Sequence, residues 1–136
     1  MVHASVLLFV YGTLRPTLAR GEPARLIAGL PHRGTATVRG LLYDLGRYPA
    51  MVPGAGTVRG DLLEIGSIEQ LAAFDAYEEC GGLQSLYVRK RLPAVQADGG
   101  GVMAWVYLYA RPLAAARLIP GGDYAADRQA RRQSAD

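Results

Sequence analysis

Two patterns predict a small α+β domain. Several short runs rich in β-branched and aromatic residues are closed by Gly or Pro turns, as strands are, and one segment carries both the start and the stop signals of a helix. Half of the 136 residues are hydrophobic, enough for one core without staples. We read residues 1–124 as a single domain and the polar residues 125–136 as a tail expected to fray.

The first strand is Val6-Leu7-Leu8-Phe9-Val10, a continuous apolar run of strand length that ends on Tyr11-Gly12-Thr13-Leu14. Gly12 permits a tight backbone there. Successive amides of Gly12, Thr13 and Leu14 can then form a concavity for a carboxylate or an oxyanion; an ordinary strand end before Pro16 is the alternative. Residues 16–31, with Gly21, Pro23 and Gly29, read as a connector holding one or two helical turns near residues 24–28. Residues 33–46 turn β-like, and Gly40 inside them marks a bulge or a close backbone approach. The pattern Val38-Arg39-Gly40 returns as Val58-Arg59-Gly60, which predicts two strands with similar bends. Residues 47–54 between them, with Pro49 and Pro53, read as a stiff apolar loop able to rim a pocket. Arg39 and Arg59 are pocket cations or, preferably, surface charges.

Ser67-Ile68-Glu69-Gln70 matches a capping box, and the helix it opens is expected to run to about Glu79 and stop at Gly81-Gly82. At ~3.6 residues per turn Ile68, Leu71 and Phe74 form the buried stripe, and Asp75 and Glu78 fall on or beside it. A carboxylate on that face must be paired, hydrogen-bonded or open to a water-filled pocket. For Asp75 a structural partner such as an arginine is preferred. Glu78 lies where the negative end of the helix dipole and the rings of Phe74 and Tyr77 both raise a carboxyl pKa, as a base working near neutral pH requires. The alternative is a solvated helix end at Glu78 and Glu79. Strands at 86–96, accommodating Pro93 at an edge or bulge, and at 102–110 complete the regular elements.

Net charge is +3, and Lys90 is the only lysine among fifteen basic residues. They are spread along the chain without the aromatic interleaving of a nucleic-acid patch, so no nucleic-acid partner is expected. No run approaches the roughly 20 apolar residues of a membrane span, and residues 1–4 lack signal-peptide features, which predicts a cytoplasmic protein with no membrane partner. Cys80 is the one cysteine, and His3 and His32 are far apart, so neither a disulfide nor a metal site is expected. Following two carboxylates and lacking a histidine partner, Cys80 does not read as a nucleophile.

Tyr11-Gly12-Thr13-Leu14 after an apolar strand, Gly46-Arg47-Tyr48-Pro49-Ala50, Val58-Arg59-Gly60-Asp61, Phe74-Asp75-Ala76-Tyr77-Glu78, Tyr87-Val88-Arg89, Ala104-Trp105-Val106-Tyr107 and Ile119-Pro120-Gly121-Gly122-Asp123-Tyr124 occur in this order across most of the chain. Together they resemble the γ-glutamylcyclotransferase-like family, which includes γ-glutamylamine cyclotransferases and AIG2-like proteins. The resemblance implies a small mixed β-barrel with a few helices, on which the first turn and the acidic helix meet at a pocket. It implies release of 5-oxoproline from a γ-glutamyl amine or γ-glutamyl amino acid by attack of the α-amine on its own γ-carbonyl, with Glu78 as catalytic base and no cofactor. Tyr11, Gly12, Thr13 and Leu14 match the substrate loop; Tyr48, Tyr107 and Tyr109 are weaker candidates for substrate contact. Removal of a γ-glutamyl protecting group in a biosynthetic pathway is the alternative on the same chemistry, and a non-catalytic small-ligand-binding protein is the alternative from another class. Two positions depart from the family pattern: Thr13 where serine is common, and Glu79 where glycine is frequent. The leaving amine and the oligomeric state are not encoded in any motif recognised here.

Overall fold

The computed structural model describes residues 6–78 and 86–134. In chain order the elements are β1 (Val6–Val10), α1 (Glu22–Ile27), β2 (His32–Asp44), β3 (Pro49–Ile65), a 3-10 turn (Ile68–Gln70), α2 (Leu71–Tyr77), β4 (Tyr87–Gln96), β5 (Gly101–Tyr109), β6 (Arg117–Leu118), a second 3-10 turn (Pro120–Gly122) and α3 (Tyr124–Ser134). The strands run in the order β3-β1-β5-β4-β2, and β2 pairs back onto β3 to close a five-stranded barrel; β6 adds to the far part of β2. The β1–β5 pairing is parallel and the others are antiparallel. Among the described residues no helix is long and apolar enough to cross a membrane.

Alternation explains why β1 is apolar throughout. Phe9 and Tyr11 belong to the cluster that fills the barrel, to which β2 sends Val38, β3 Val58, β4 Ala94 and β5 Val106. Leu8 and Val10 point the other way, into a second cluster with Leu63, Ile65, Leu71, Phe74, Tyr87 and Tyr107. Both faces of β1 are therefore covered, so a half-polar strand would bury polar groups on one side. Helix α2 covers the outer cluster with Leu71 and Phe74, 0% and 3% exposed, each contributing roughly 1.5–3 kcal/mol of burial.

The two Val-Arg-Gly copies turn out to be each other's partners: Val38 pairs with Val58, and Gly60 with Ala36. The register slips at Arg39/Leu41, the bulge expected at Gly40. Gly60 marks a close approach instead, since a Cβ there would lie 2.3 Å from the Val10 carbonyl oxygen. Arg39 and Arg59 are exposed, on the strand surface. Pro93 pairs with Met103 on one side, and the ladder to β2 stops at Ala94, so its missing N–H costs no bond to β2.

Four expectations are corrected. Residues 49–54 are not a loop but the start of β3, paired with β2 from Asp44–Pro49 to Leu41–Val52; the turn is confined to Leu45–Tyr48, where the Leu45 N–H donates to the Tyr48 carbonyl at 3.0 Å. Ser67 makes no side-chain cap, and Gln70 instead accepts the Gly66 N–H through Oε1 at 2.7 Å. The helix opens as a 3-10 turn, which rotates Ile68 outward to 49% exposure and removes it from the buried stripe. The polar tail forms α3 rather than fraying: Tyr124 anchors it in the barrel cluster at 2% exposure, and Asp123 accepts the Ala126 N–H at 3.0 Å. The expected helix end at Glu79 and Gly81-Gly82, and Cys80, lie outside the described residues.

Gly122 joins α3 to the barrel at φ +64°, with an added Cβ only 1.9 Å from the Thr57 carbonyl oxygen. Gly122→Ala is expected to lose at least ~2 kcal/mol in urea unfolding, because neither the positive φ nor the backbone clash can relax without undocking α3.

Candidate active site

The turn after β1 is held from three directions. Tyr11 donates its hydroxyl to the Tyr107 carbonyl at 2.5 Å, the Gly12 carbonyl accepts the Arg15 N–H at 3.0 Å, and Thr13 Oγ1 shares a hydrogen bond of 2.9 Å with the Tyr77 hydroxyl. A Cβ at Gly12 would meet Pro49 Cγ at 2.8 Å, so the absence of a side chain lets β3 pack directly on the turn. Among the described residues no backbone hydrogen bond uses the amides of Gly12, Thr13 or Leu14.

Below the turn lies a charged network the sequence analysis did not assign. Arg15 is 8% exposed and Asp61 4% exposed. Arg15 Nε donates to Asp61 Oδ2 at 2.7 Å, Arg15 Nη1 reaches Asp123 Oδ1 at 3.1 Å, and His32 Nε2 is 2.9 Å from Asp61 Oδ1. It ties the turn to β2, β3 and the start of α3.

Tyr11, Gly12, Thr13, Leu14, Tyr48, Tyr107 and Glu78 all line one cavity of about 400 Å3, together with Arg47, Tyr77 and Tyr87. Glu78 is the residue that ends α2, its N–H donating to the Phe74 carbonyl at 2.9 Å. Desolvation raises its carboxyl from 4.5 to about 7. Among the described residues its side chain has no hydrogen bond or ion pair. Asp75, on the same turn of helix, has the structural partners expected of it: the Tyr107 hydroxyl donates to Oδ1 at 2.6 Å and Arg89 Nε lies 3.3 Å away. Two neighbouring carboxylates thus have different surroundings, one paired and one beside a cavity without a partner among the described residues.

Burial raises the hydroxyl pKa of Tyr11, Tyr87 and Tyr107, and the nearby Glu78 charge adds to the effect in each. They stay protonated donors at neutral pH. Tyr107 spends its hydroxyl on Asp75 and Tyr87 donates to the Pro49 carbonyl at 2.9 Å, so these rings shape the cavity more than they offer it free hydroxyls. Tyr109 packs its ring on Tyr87, centroids 5.5 Å apart, and is not one of the lining residues. Tyr48 lines the wall with no hydrogen bond to its hydroxyl among the described residues. Arg47 was missed by the sequence reading as a site residue. It is exposed on the β2–β3 turn, forms part of the cavity lining and has no ion pair among the described residues. Its signal was its place before Tyr48 in Gly46-Arg47-Tyr48-Pro49.

Comparison with known proteins bears on the family and the fold. A family model described as "Gamma-glutamyl cyclotransferase, AIG2-like" matches residues 8–126. The Escherichia coli K12 γ-glutamylcyclotransferase family protein YtfP is 41% identical over 83 residues, covering 61% of this chain and 66% of that protein. A Citrobacter rodentium counterpart is 35% identical over 117 residues, covering 86% and 93% of the two chains. The solution structure of E. coli YtfP superposes with a TM-score of 0.64 at 33% identity, covering 91% of this chain and 99% of that one. The crystal structure of a mouse AIG2-like protein gives 0.70 at 23% identity, covering 90% and 89%. This second likeness is one of fold. The chain belongs to the γ-glutamylcyclotransferase, AIG2-like family.

Proposed function

We propose that the protein is a cyclotransferase that releases 5-oxoproline from a γ-glutamyl amine or γ-glutamyl amino acid, with Glu78 as general base. The observation that carries the reading is a carboxylate raised to about 7 and without a partner among the described residues, lining the same cavity as a turn whose amides make no hydrogen bond among those residues. In the proposed reaction the glutamyl group folds so that its α-nitrogen meets its own γ-carbonyl. Holding it so removes most of the entropic barrier. Glu78 takes a proton from the α-ammonium, and the freed amine attacks the γ-carbon. The resulting oxyanion is stabilised by the amides of Gly12 to Leu14. Glu78 then passes that proton to the departing nitrogen as the C–N bond breaks, takes the second proton from the ring nitrogen and gives it to the freed amine, so that 5-oxoproline and an ammonium leave and Glu78 is ionised again. A pKa near 7 suits taking and giving alike.

Incubation with a panel of γ-glutamyl compounds, scoring 5-oxoproline, tests the reading; folded protein that releases none from any member contradicts it. Arg47 bears on which members react. Being exposed, it marks the open side of the cavity, where the leaving amine projects. If that amine carries a carboxylate, Arg47→Ala is expected to raise KM about tenfold for γ-glutamyl amino acids and to leave neutral γ-glutamyl amines unchanged. Steady-state kinetics on the two substrate classes decides this.

A further inference from the structure

A second cavity, of about 270 Å3, opens beside the first and shares Thr13 with it. Arg20, Arg128 and Arg132 line it with Thr17 and Tyr124, and none of its lining residues is acidic. The arrangement follows from α3: Tyr124, Arg128 and Arg132 recur every four residues, so they form one row on the helix face turned toward the segment after the first turn. Arg128 is held in place, its Nη1 donating to the Tyr124 hydroxyl at 2.7 Å and its guanidinium 5.4 Å from that ring. Arg20 donates one N–H to its neighbour, the Ala19 carbonyl. Neither Arg20 nor Arg132 has a carboxylate partner among the described residues. Elsewhere on α3 the pattern differs, because Arg131 pairs with Asp44, and Asp127 with Arg117 at 2.6 Å.

Three guanidinium groups converging on a concave site whose described lining holds no acid repel one another until an anion joins them. Their planar N–H forks suit an oxyanion with several acceptor oxygens, and Thr17 offers a hydroxyl donor. The concavity is too small to follow a nucleic-acid backbone and is of a size for a single anionic group. We propose that this cavity is a binding site for a phosphate group, free or carried on a small metabolite.

The test uses the full chain titrated with inorganic phosphate, with ionic strength held constant by sodium chloride. Saturable binding is expected, read as a rise in Tm that follows ligand linkage and as a shift of the Thr13 amide resonance with the same Kd. Arg20→Gln/Arg132→Gln, two exposed positions, is expected to weaken Kd at least tenfold, and Glu78→Gln to leave it unchanged. A phosphate monoester such as glycerol 3-phosphate separates the sources: tighter binding than inorganic phosphate assigns the site to a phosphorylated metabolite, equal binding to the free ion, and either supports the site. No effect beyond that of chloride, unchanged affinity in the double variant, or binding of oligonucleotides without binding of phosphate overturns it.

Discussion

Replacing Glu78 with glutamine is expected to lower kcat by about 10²–10⁴-fold while KM changes little, because the amide keeps the shape of the side chain and cannot take the proton. The same substitution is expected to stabilise the fold at high pH. Glu78 has a native pKa of about 7 against an ordinary value of 4.5. Between these values the native state holds a proton the unfolded state has lost, so stability falls as pH rises from 4.5 to 7, and the full penalty persists above. At ~1.4 kcal/mol per unit the penalty reaches about 3 kcal/mol. Glu78→Gln should therefore be more stable than the parent by up to about 3 kcal/mol at pH 8 and nearly equal to it at pH 4.5. Denaturant unfolding at the two pH values measures this. A variant that loses turnover and stability together would indicate a structural role instead.

Arg15→Ala is expected to cost about 3–5 kcal/mol, the largest loss of stability of any substitution considered. Removing the guanidinium leaves Asp61, 4% exposed, with His32 as its remaining side-chain partner. His32, itself exposed, compensates that charge only in part, and a buried charge stripped of its main partner is far more costly than the ion pair is favourable. The loss should be largely recovered in Arg15→Met/Asp61→Leu, which removes the charge together with its partner. Urea unfolding of the two variants separates the explanations: comparable losses in both would mean that packing around Arg15, rather than the stranded carboxylate, sets the cost. The Leu18 and Ala19 amides donate to the Arg15 carbonyl, so the backbone at this position also continues the connection out of the site.

The sequence was most legible where one physical constraint acts alone. β1 was recognisable because both its faces are covered, leaving no polar position to confuse the pattern. Glu78 and Asp75 stood out because a carboxylate on a buried helix face demands an explanation, and the structure supplies two different ones. Legibility failed where tertiary contacts overrode local signals. Ser67 and Gln70 have the spacing of a capping box, but the 3-10 start moves Gln70 onto the Gly66 amide. Residues 49–54 carry two prolines and look like a loop, yet pairing with β2 makes them strand. The helix α3 is polar along its length, and what fixes it lies at its first residue, Tyr124, and in ion pairs with distant Asp44 and Arg117. The Arg15–Asp61–Asp123 network joins residues 46 and 108 positions apart, a distance no local pattern spans.

The central claim, that Glu78 is the base acting across the cavity from the Gly12 to Leu14 turn, is tested most directly by 5-oxoproline release as a function of pH in the parent and in Glu78→Gln. The account predicts that kcat in the parent rises with pH through about 7 to a plateau, as the carboxyl ionises, and that this limb is absent from whatever residual rate Glu78→Gln retains. Full turnover by Glu78→Gln with the same pH profile as the parent would contradict it.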